Sequence, residues 1–273
     1  MTDKVLRSRE NARVKQLIAL AHSARERKKA GLTVLDGIHL VSAYADALGA
    51  PQMIAVAETA VARAEVRQLL ARCEAASIMV LADALMTEIS GLDSPAFVVA
   101  TITTPAVAPT PADATLLVLE DVQDPGNVGS LLRSAAAAGI REVVTSRSTA
   151  FAWSPKVLRA AQGAHFALNI AEGRDLPALL AGYRGQSLAL VVADKGVLPL
   201  YACDLTGPVA IMLGNEGAGL SAELSRAAGV RATIPMPGRV ESLNVAAAGA
   251  ICLFEMVRQR SVNPKDGGGF GSR

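Results

Sequence analysis

Residues 116–140 read LLVLEDVQDPGNVGSLLRSAAAAGI, and the class of the fold follows from this stretch. Leu116 to Leu119 form a continuous apolar run, the mark of a strand buried on both faces. Asp124-Pro125-Gly126-Asn127 breaks the run with turn-forming residues, and a helix follows whose first turns carry Gly129 and Arg133. Strand, polar turn and helix make the repeating unit of a parallel sheet, whose ligands bind beyond the carboxyl ends of the strands. Asn127 is a candidate cap for the helix. An arginine near a helix N-terminus is unfavourable to the dipole, so Arg133 reads as a residue kept for a purpose.

The unit recurs downstream. REVVTS, SLALVVAD, VAIMLGNE and VRATIPM are strand candidates separated by segments of helical length, which predicts an α/β fold with a parallel sheet covered on both sides. A closing helix from about Leu243 to Arg260 ends in Arg258 and Arg260, as suits a helix C-terminus. Beyond it SVNPKDGGGFGSR offers no core-forming residue except Phe270, so 261–273 is expected to be a disordered tail.

Upstream, Pro105, Pro109 and Pro111 favour an extended linker over 105–114. Before it, Val14, Leu17, Ile18, Leu20 and Ala21 recur at helical spacing and predict a helix from Asn11 to about Ala30. GLTVLDG reads as a short strand, Ile38 to Leu48 as a helix, and MIAVAE and SIMVLA as strands flanking an Ala/Arg helix. With AFVVATI as a further apolar run, residues 1–104 make a small α/β domain, and 115–260 make a second. No internal repeat is visible.

Composition fits this division. The 273 residues are 51% hydrophobic but only 3% aromatic, so the interior is built from Ala, Val, Leu and Ile. The start, MTDKVLRSRENARVK, is charged, and no stretch reaches the roughly 20 apolar residues of a membrane helix, which points to the cytoplasm. Cys73, Cys203 and Cys252 are odd in number and outside any metal-ligand spacing, so they are expected to be reduced packing residues, with no metal implied. Net charge is only +2, but Lys4, Arg7, Arg9, Arg13, Lys15, Arg25, Arg27, Lys28 and Lys29 outnumber Asp3, Glu10 and Glu26 near the N-terminus. On charge alone this is equally a phosphate-attracting segment or a solvated helix face.

Two further segments turn polar or glycine-rich where a strand should end. IMLGNEGAGLS, 211–221, runs from an apolar strand into Gly214-Asn215-Glu216-Gly217 and then Gly219, and fits neither a dinucleotide nor a phosphate-loop pattern. IPMPGRVESLNVAAAGAICLFE, 234–255, breaks a strand at Pro235, Pro237 and Gly238 and opens a helix at Ser242-Leu243-Asn244. Its small residues, Ala246 to Ala250, allow close approach to another backbone.

In order and spacing the three segments resemble the signature motifs of the SpoU (TrmH-like) RNA ribose 2′-O-methyltransferases of the SPOUT superfamily. The first appears as Asn127, Gly129 and Arg133, the second as LGNEGxGLS, and the third as IPMxGxxxSLNVxxAxxI; together they span most of 115–258. The resemblance implies an α/β domain threaded into a trefoil knot, and S-adenosylmethionine as cofactor. It assigns cofactor contacts to Leu213, Gly214, Asn215, Gly217, Ile234, Met236 and Leu243, and catalysis to Arg133 assisted by Asn127, Glu216, Ser242 and Asn244. An arginine stays protonated below about pH 12, so a role in holding charge suits Arg133 better than that of a base.

The N-terminal stretch resembles the substrate-binding domain that precedes the catalytic domain in many members, a small α/β module related to ribosomal RNA-binding proteins. It departs at Asp36-Gly37, where members carry Glu-Gly. By this resemblance Arg9, Asn11, Lys15, Arg25, Lys28 and Lys29 are candidate RNA contacts, ribosomal RNA is favoured over transfer RNA, and the large subunit is favoured within it. The resemblance also implies a homodimer, to which the small-residue C-terminal helix is suited. A transfer-RNA substrate, a base methyltransferase of the wider superfamily and a non-catalytic RNA-binding homologue are the alternatives; the intact motifs and the Asn/Arg pair weigh against the last two.

Overall fold

The computed structural model describes residues 5–90 and 96–262, and its residues group into two compact units. The first comprises Met1–Ala106 with Trp153–Phe166. Its strands are β1 (Val5–Leu6), β2 (Leu32–Asp36), β3 (Met53–Ala57), β4 (Ser77–Leu81) and β5 (Val98–Thr103). They form a mixed sheet ordered β1-β4-β3-β5-β2, in which β5 runs antiparallel to both neighbours. The helices are α1 (Ala12–His22), α2 (Ala24–Ala30), α3 (Ile38–Leu48), α4 (Ala64–Arg72) and α5 (Asp83–Ser90), in chain order.

The single helix expected from Asn11 to Ala30 is two. Ser23 is extended, donates its N–H to Ala19 and accepts from Glu26 N, so one residue closes α1 and caps α2. Gly31, at φ 63, ends α2 in the left-handed conformation that favours glycine. Arg27, one of the basic residues counted toward a phosphate-binding segment, is buried, and its guanidinium donates to the carbonyls of Leu20 and Ala21. It serves the end of α1 rather than a surface. Asp3 and Lys4 lie outside the described residues.

The second unit comprises Val107–Ala152 and Ala167–Arg273. Its strands are β6 (Leu116–Leu119), β7 (Glu142–Thr145), β8 (Asn169–Ala171), β9 (Gln186–Leu190), β10 (Leu198–Pro199), β11 (Val209–Leu213) and β12 (Val230–Thr233). The order is β10-β12-β9-β11-β6-β7-β8, and every pairing is parallel. The chain moves outward from β6 through β7 to β8, then returns on the far side of β6. β6 and β11 are therefore neighbours though about ninety residues apart, and the crevice between their carboxyl ends is the place where such sheets bind ligands.

The helices of this part of the chain are α6 (Pro125–Ala137), α7 (Pro155–Ala161), α8 (Leu176–Ala181), α9 (Ala222–Ala227) and α10 (Val245–Val262); α7 falls in the first unit. One sheet face buries Leu116, Val118, Val144, Ala210 and Met212 with Leu176 of α8 and Leu224 of α9. On the other side α10 packs on α6 and β11, so closely that a Cβ on Gly249 would lie 2.3 Å from Leu131 Cδ2. This is the covered parallel sheet that alternation predicted, and small residues in α10 permit the approach.

Three local readings change. Asp124, not Asn127, caps α6: its Oδ1 accepts from Asn127 N at 2.8 Å, and Pro125 occupies the first helical position. Arg133 consequently lies in the third turn of α6, out of reach of the helix N-terminus, and the dipole argument for it falls away. α10 begins at Val245, with Asn244 as its cap, not at about Leu243, and it continues to Val262, so the tail expected from Ser261 gives its first two residues to the helix. Residues 263–273 lie outside the described residues. All three cysteines are free and buried. Among the described residues no helix is long and apolar enough to cross a membrane.

Candidate active site

Three loops leave the carboxyl ends of β6, β11 and β12, and polar side chains fasten them together. Glu120, just after β6, donates its N–H to Leu213 O and accepts from Ser221 N through its carboxylate at 2.7 Å. Asp121 follows at φ 55, uncommon for a residue with a side chain. Ser146 holds it there, accepting from its N–H at 2.9 Å and donating to its Oδ1 at 2.5 Å. In that conformation Asp121 O receives Asn215 Nδ2 at 2.9 Å, which fixes the first loop against the second.

The second loop closes on itself. Asn215 and Gly219 exchange backbone hydrogen bonds, and Asn215 Oδ1 accepts from the N–H groups of Gly217 and Ala218. A Cβ on Gly214 would stand 2.2 Å from the backbone of Gly219 and Leu220, so no other residue fits there without moving main chain. Gly219 itself is left-handed at φ 70.

Glu216, at the tip of this loop, accepts from Gln123 N at 3.2 Å, Asp124 N at 3.0 Å and Asn127 Nδ2 at 3.0 Å. Asn127 Oδ1 in turn accepts from Asn244 Nδ2 at 2.9 Å, and Asn244 Oδ1 accepts from Ala246 N and Ala247 N. The direction of this chain is dictated at both ends: a carboxylate can only accept, and free helix N–H groups can only donate. Burial pushes the Glu216 carboxyl up, but the bonds from Asn127 and from backbone N–H groups outweigh it and hold it below the usual range.

The segments after β11 and β12, with the end of β9, line a cleft of about 460 Å³, and the first loop braces the second without lining it. Leu213, Gly214, Asn215, Gly217, Ile234, Met236 and Leu243, the seven residues to which the resemblance assigns the cofactor, all line it, as do Glu216 and Ser242. Asn215 spends its Oδ1 and its backbone inside the loop and its Nδ2 on Asp121 O of the first loop, which makes it an organiser of the wall. Asn127, Glu216 and Asn244 come together in one hydrogen-bonded chain. Arg133 and Ser242 do not join it: both are exposed, and neither side chain makes a hydrogen bond or ion pair among the described residues.

The reading from sequence missed Glu120, Asp121 and Ser146, which set the first loop, and Leu190–Val192, which form another wall of the cleft. Glu120 and Asp121 stood in the quoted stretch as acidic residues directly after a strand, and that position was their only signal.

The candidate RNA contacts belong to the first unit. Arg9 is paired with Glu88 at 2.6 Å, Lys15 with Glu10, and Asn11 caps α1. Arg25, Lys28 and Lys29 are exposed on α2. Asp36 is 8% exposed and accepts from Arg159 of α7 at 2.8 Å and from Ser90 Oγ at 3.1 Å, so its carboxylate anchors the unit's interior. Among the described residues no His, Cys, Asp and Glu cluster could hold a metal ion.

Comparison with known proteins places these loops in context. The model of the SpoU rRNA Methylase family matches residues 114–254, and that of the MRM3-like substrate binding domain matches residues 11–100. The chain is 34% identical over 259 residues to the uncharacterized tRNA/rRNA methyltransferase slr1673 of Synechocystis, covering 93% of each chain. It is 30% identical over 254 residues to the 23S rRNA (guanosine(2553)-2′-O)-methyltransferase RlmP of Bacillus subtilis, covering 93% of this chain and 99% of that one. Among solved structures it is similar to the AdoMet-bound rRNA methyltransferase of Sinorhizobium meliloti, with a TM-score of 0.80 and 29% identity over 93% of this chain and 97% of that chain.

Proposed function

Because the chain belongs to the SpoU rRNA methylase family, we propose that it transfers the methyl group of S-adenosylmethionine to a ribose 2′-hydroxyl of ribosomal RNA, with large-subunit RNA as substrate. The observation that carries this reading is one cleft lined by all seven residues to which the resemblance assigns the cofactor, with the loops around it fastened by the Glu216–Asn127–Asn244 chain.

The residues present fit the cofactor. The cleft lies in the range of about 300–1,000 Å³ usual for small-molecule sites. Leu213, Ile234, Met236 and Leu243 give it apolar walls, and the tight turn at Gly214 brings main chain to its edge. When bound, S-adenosylmethionine supplies a methyl group already attached to a good leaving group. The protein is left to position the ribose and manage the hydroxyl proton.

In this reading Arg133 is the catalytic residue. Its guanidinium holds the neighbouring phosphate or the negative charge that develops on the 2′-oxygen, a task a permanent cation performs and a base does not. Asn127, Glu216 and Asn244 are positioning residues, since their polar atoms bind one another and thereby hold the loops in register. Ser242, on the cleft wall with a free hydroxyl among the described residues, is the group placed to meet substrate.

We further propose the trefoil threading of the family, a cytoplasmic site of action where ribosomal RNA is made, and a homodimer formed through α10. Supporting the dimer, α10 leaves Ala247 and Phe254 exposed at a spacing of seven residues, with Leu243 exposed just before the helix. The deciding experiment is mass-spectrometric mapping of 2′-O-methyl nucleosides in RNA from cells with and without this protein. Loss of one ribosomal ribose methylation, restored by the wild type but not by Arg133→Ala, is the expected result; an unchanged map refutes the reading.

A further inference from the structure

We propose that Phe97 and Arg63, in the unit built on the mixed sheet, form a stacking platform for an unpaired base of the RNA substrate. The proposal rests on the reading of the chain as an RNA methyltransferase and locates a contact on residues that do not line the cofactor cleft.

Aromatic residues are scarce here, with one Trp, three Tyr and five Phe in the whole chain. Most described in this unit are packed: Trp153 is 4% exposed, and Tyr44 meets Phe166 edge to face. Phe97 instead remains 40% exposed. Its backbone is fixed, because its carbonyl accepts from Ala57 N at the end of β3 and the next carbonyl, of Val98, accepts from Gly37 N. The ring is therefore presented from the start of an interior strand, bonded on both sides.

Arg63 lies over that ring, with Cζ 3.7 Å from its centroid. Four other arginines of this unit spend their charge on carboxylates: Arg7 on Glu58, Arg9 on Glu88, Arg72 on Asp46 and Arg159 on Asp36. Arg63 has no such partner among the described residues, nor does Arg67 one turn along α4, and Glu65 is the acidic residue of that first turn. A flat ring and a flat guanidinium, fixed together and carrying unspent positive charge, are complementary to a polymer of planar bases and phosphates. Unpaired bases stack on aromatic and guanidinium planes, and stacking tolerates any base because every base has a π face.

The test uses the full chain, S-adenosylmethionine carrying a labelled methyl group, and ribosomal RNA from cells lacking the protein. Phe97→Leu, apolar but without a π face, is expected to raise KM for RNA roughly tenfold with kcat and the KM for S-adenosylmethionine unchanged. Phe97→Trp is expected to keep KM near the wild-type value, and RNA should quench the new indole while leaving the fluorescence of buried Trp153 in the wild type unaltered. Arg63→Ala should raise KM and reduce the salt dependence of binding by about one phosphate contact. A KM for Phe97→Leu within about twofold of wild type, or an indole that RNA does not quench, overturns the platform. If RNA quenches the indole but the wild type transfers no methyl group to it, the platform stands and the methyltransferase reading falls.

Discussion

Asn244 Nδ2 donates to Asn127 Oδ1 at 2.9 Å, so the residue that caps α10 also fixes the amide at the start of α6. The other half of that amide donates to Glu216 at 3.0 Å. Asn127→Asp puts an oxygen where the Glu216 carboxylate needs a donor, and two acceptors then face each other. We expect activity to fall by about 100-fold or more and stability by about 1–3 kcal/mol. Asn127→Ala, which removes the donor without adding charge, should cost less. Methyl-transfer kinetics with thermal unfolding of both variants checks this, and an Asp variant no worse than the Ala variant contradicts it.

The Arg133 side chain makes no hydrogen bond or ion pair among the described residues and does not line the cleft, so its removal should spare cofactor binding. Arg133→Ala is expected to lower kcat by roughly 100- to 1,000-fold, the range for loss of one charge-stabilising donor. Arg133→Lys should recover only part, because a point charge cannot present the guanidinium fork. Calorimetric titration with S-adenosylmethionine should give unchanged affinity; a parallel loss of affinity would place Arg133 in the cofactor site instead.

Two buried glycines should respond differently to alanine. At Gly214 the added Cβ meets backbone at 2.2 Å, and at Gly249 it meets the ends of Leu131 and Leu213 at 2.3 and 2.7 Å. Leucine side chains can rotate, whereas the closed loop cannot open without losing the Asn215–Gly219 bridge. Gly214→Ala should therefore abolish cofactor binding, while Gly249→Ala costs about 1–3 kcal/mol of stability and keeps it. Equal effects on binding would show that the loop is softer than its contacts suggest.

The contrast shows what sequence can carry. Apolar runs ending in Gly, Asn, Asp and Pro announced the three loops, because few residues tolerate such turns. Strands β1, β8 and β10 escaped because two or three residues hold no periodicity. Asp124 and Asn127 are both capping types, and Pro125 at the first helical position is the signal that decides between them. Arg27 counted as surface charge because composition records a side chain's charge and not the carbonyls it meets. Likewise the order Glu216–Asn127–Asn244 joins residues 89 and 117 positions apart, and only the folded sheet brings them together.

Phe254 is 49% exposed on α10, on the helix proposed as the dimer interface. If α10 is the dimer interface, Phe254→Glu should convert the protein to a species of half the mass in sedimentation equilibrium, since an unpaired charge in an apolar contact is strongly unfavourable. Phe254→Leu should remain dimeric. A wild type that sediments as a monomer would remove the interface altogether.

The pH dependence of the loops rests on Glu216. Its carboxyl lies below the ordinary 4.5, because the bonds from Asn127 and backbone N–H groups prevail over burial. A group whose folded value is depressed contributes stability above its unfolded value and loses it as pH falls through the folded value. The clamp is thus intact at neutral pH and weakens only in acid. Glu216→Gln, neutral at every pH, should lower Tm by a constant amount from about pH 6 upward, and the difference should shrink as the wild type protonates below about pH 4. Thermal unfolding of both proteins across that interval decides the matter: a gap that stays open in acid would mean that the carboxylate's shape, and not its charge, holds the loops.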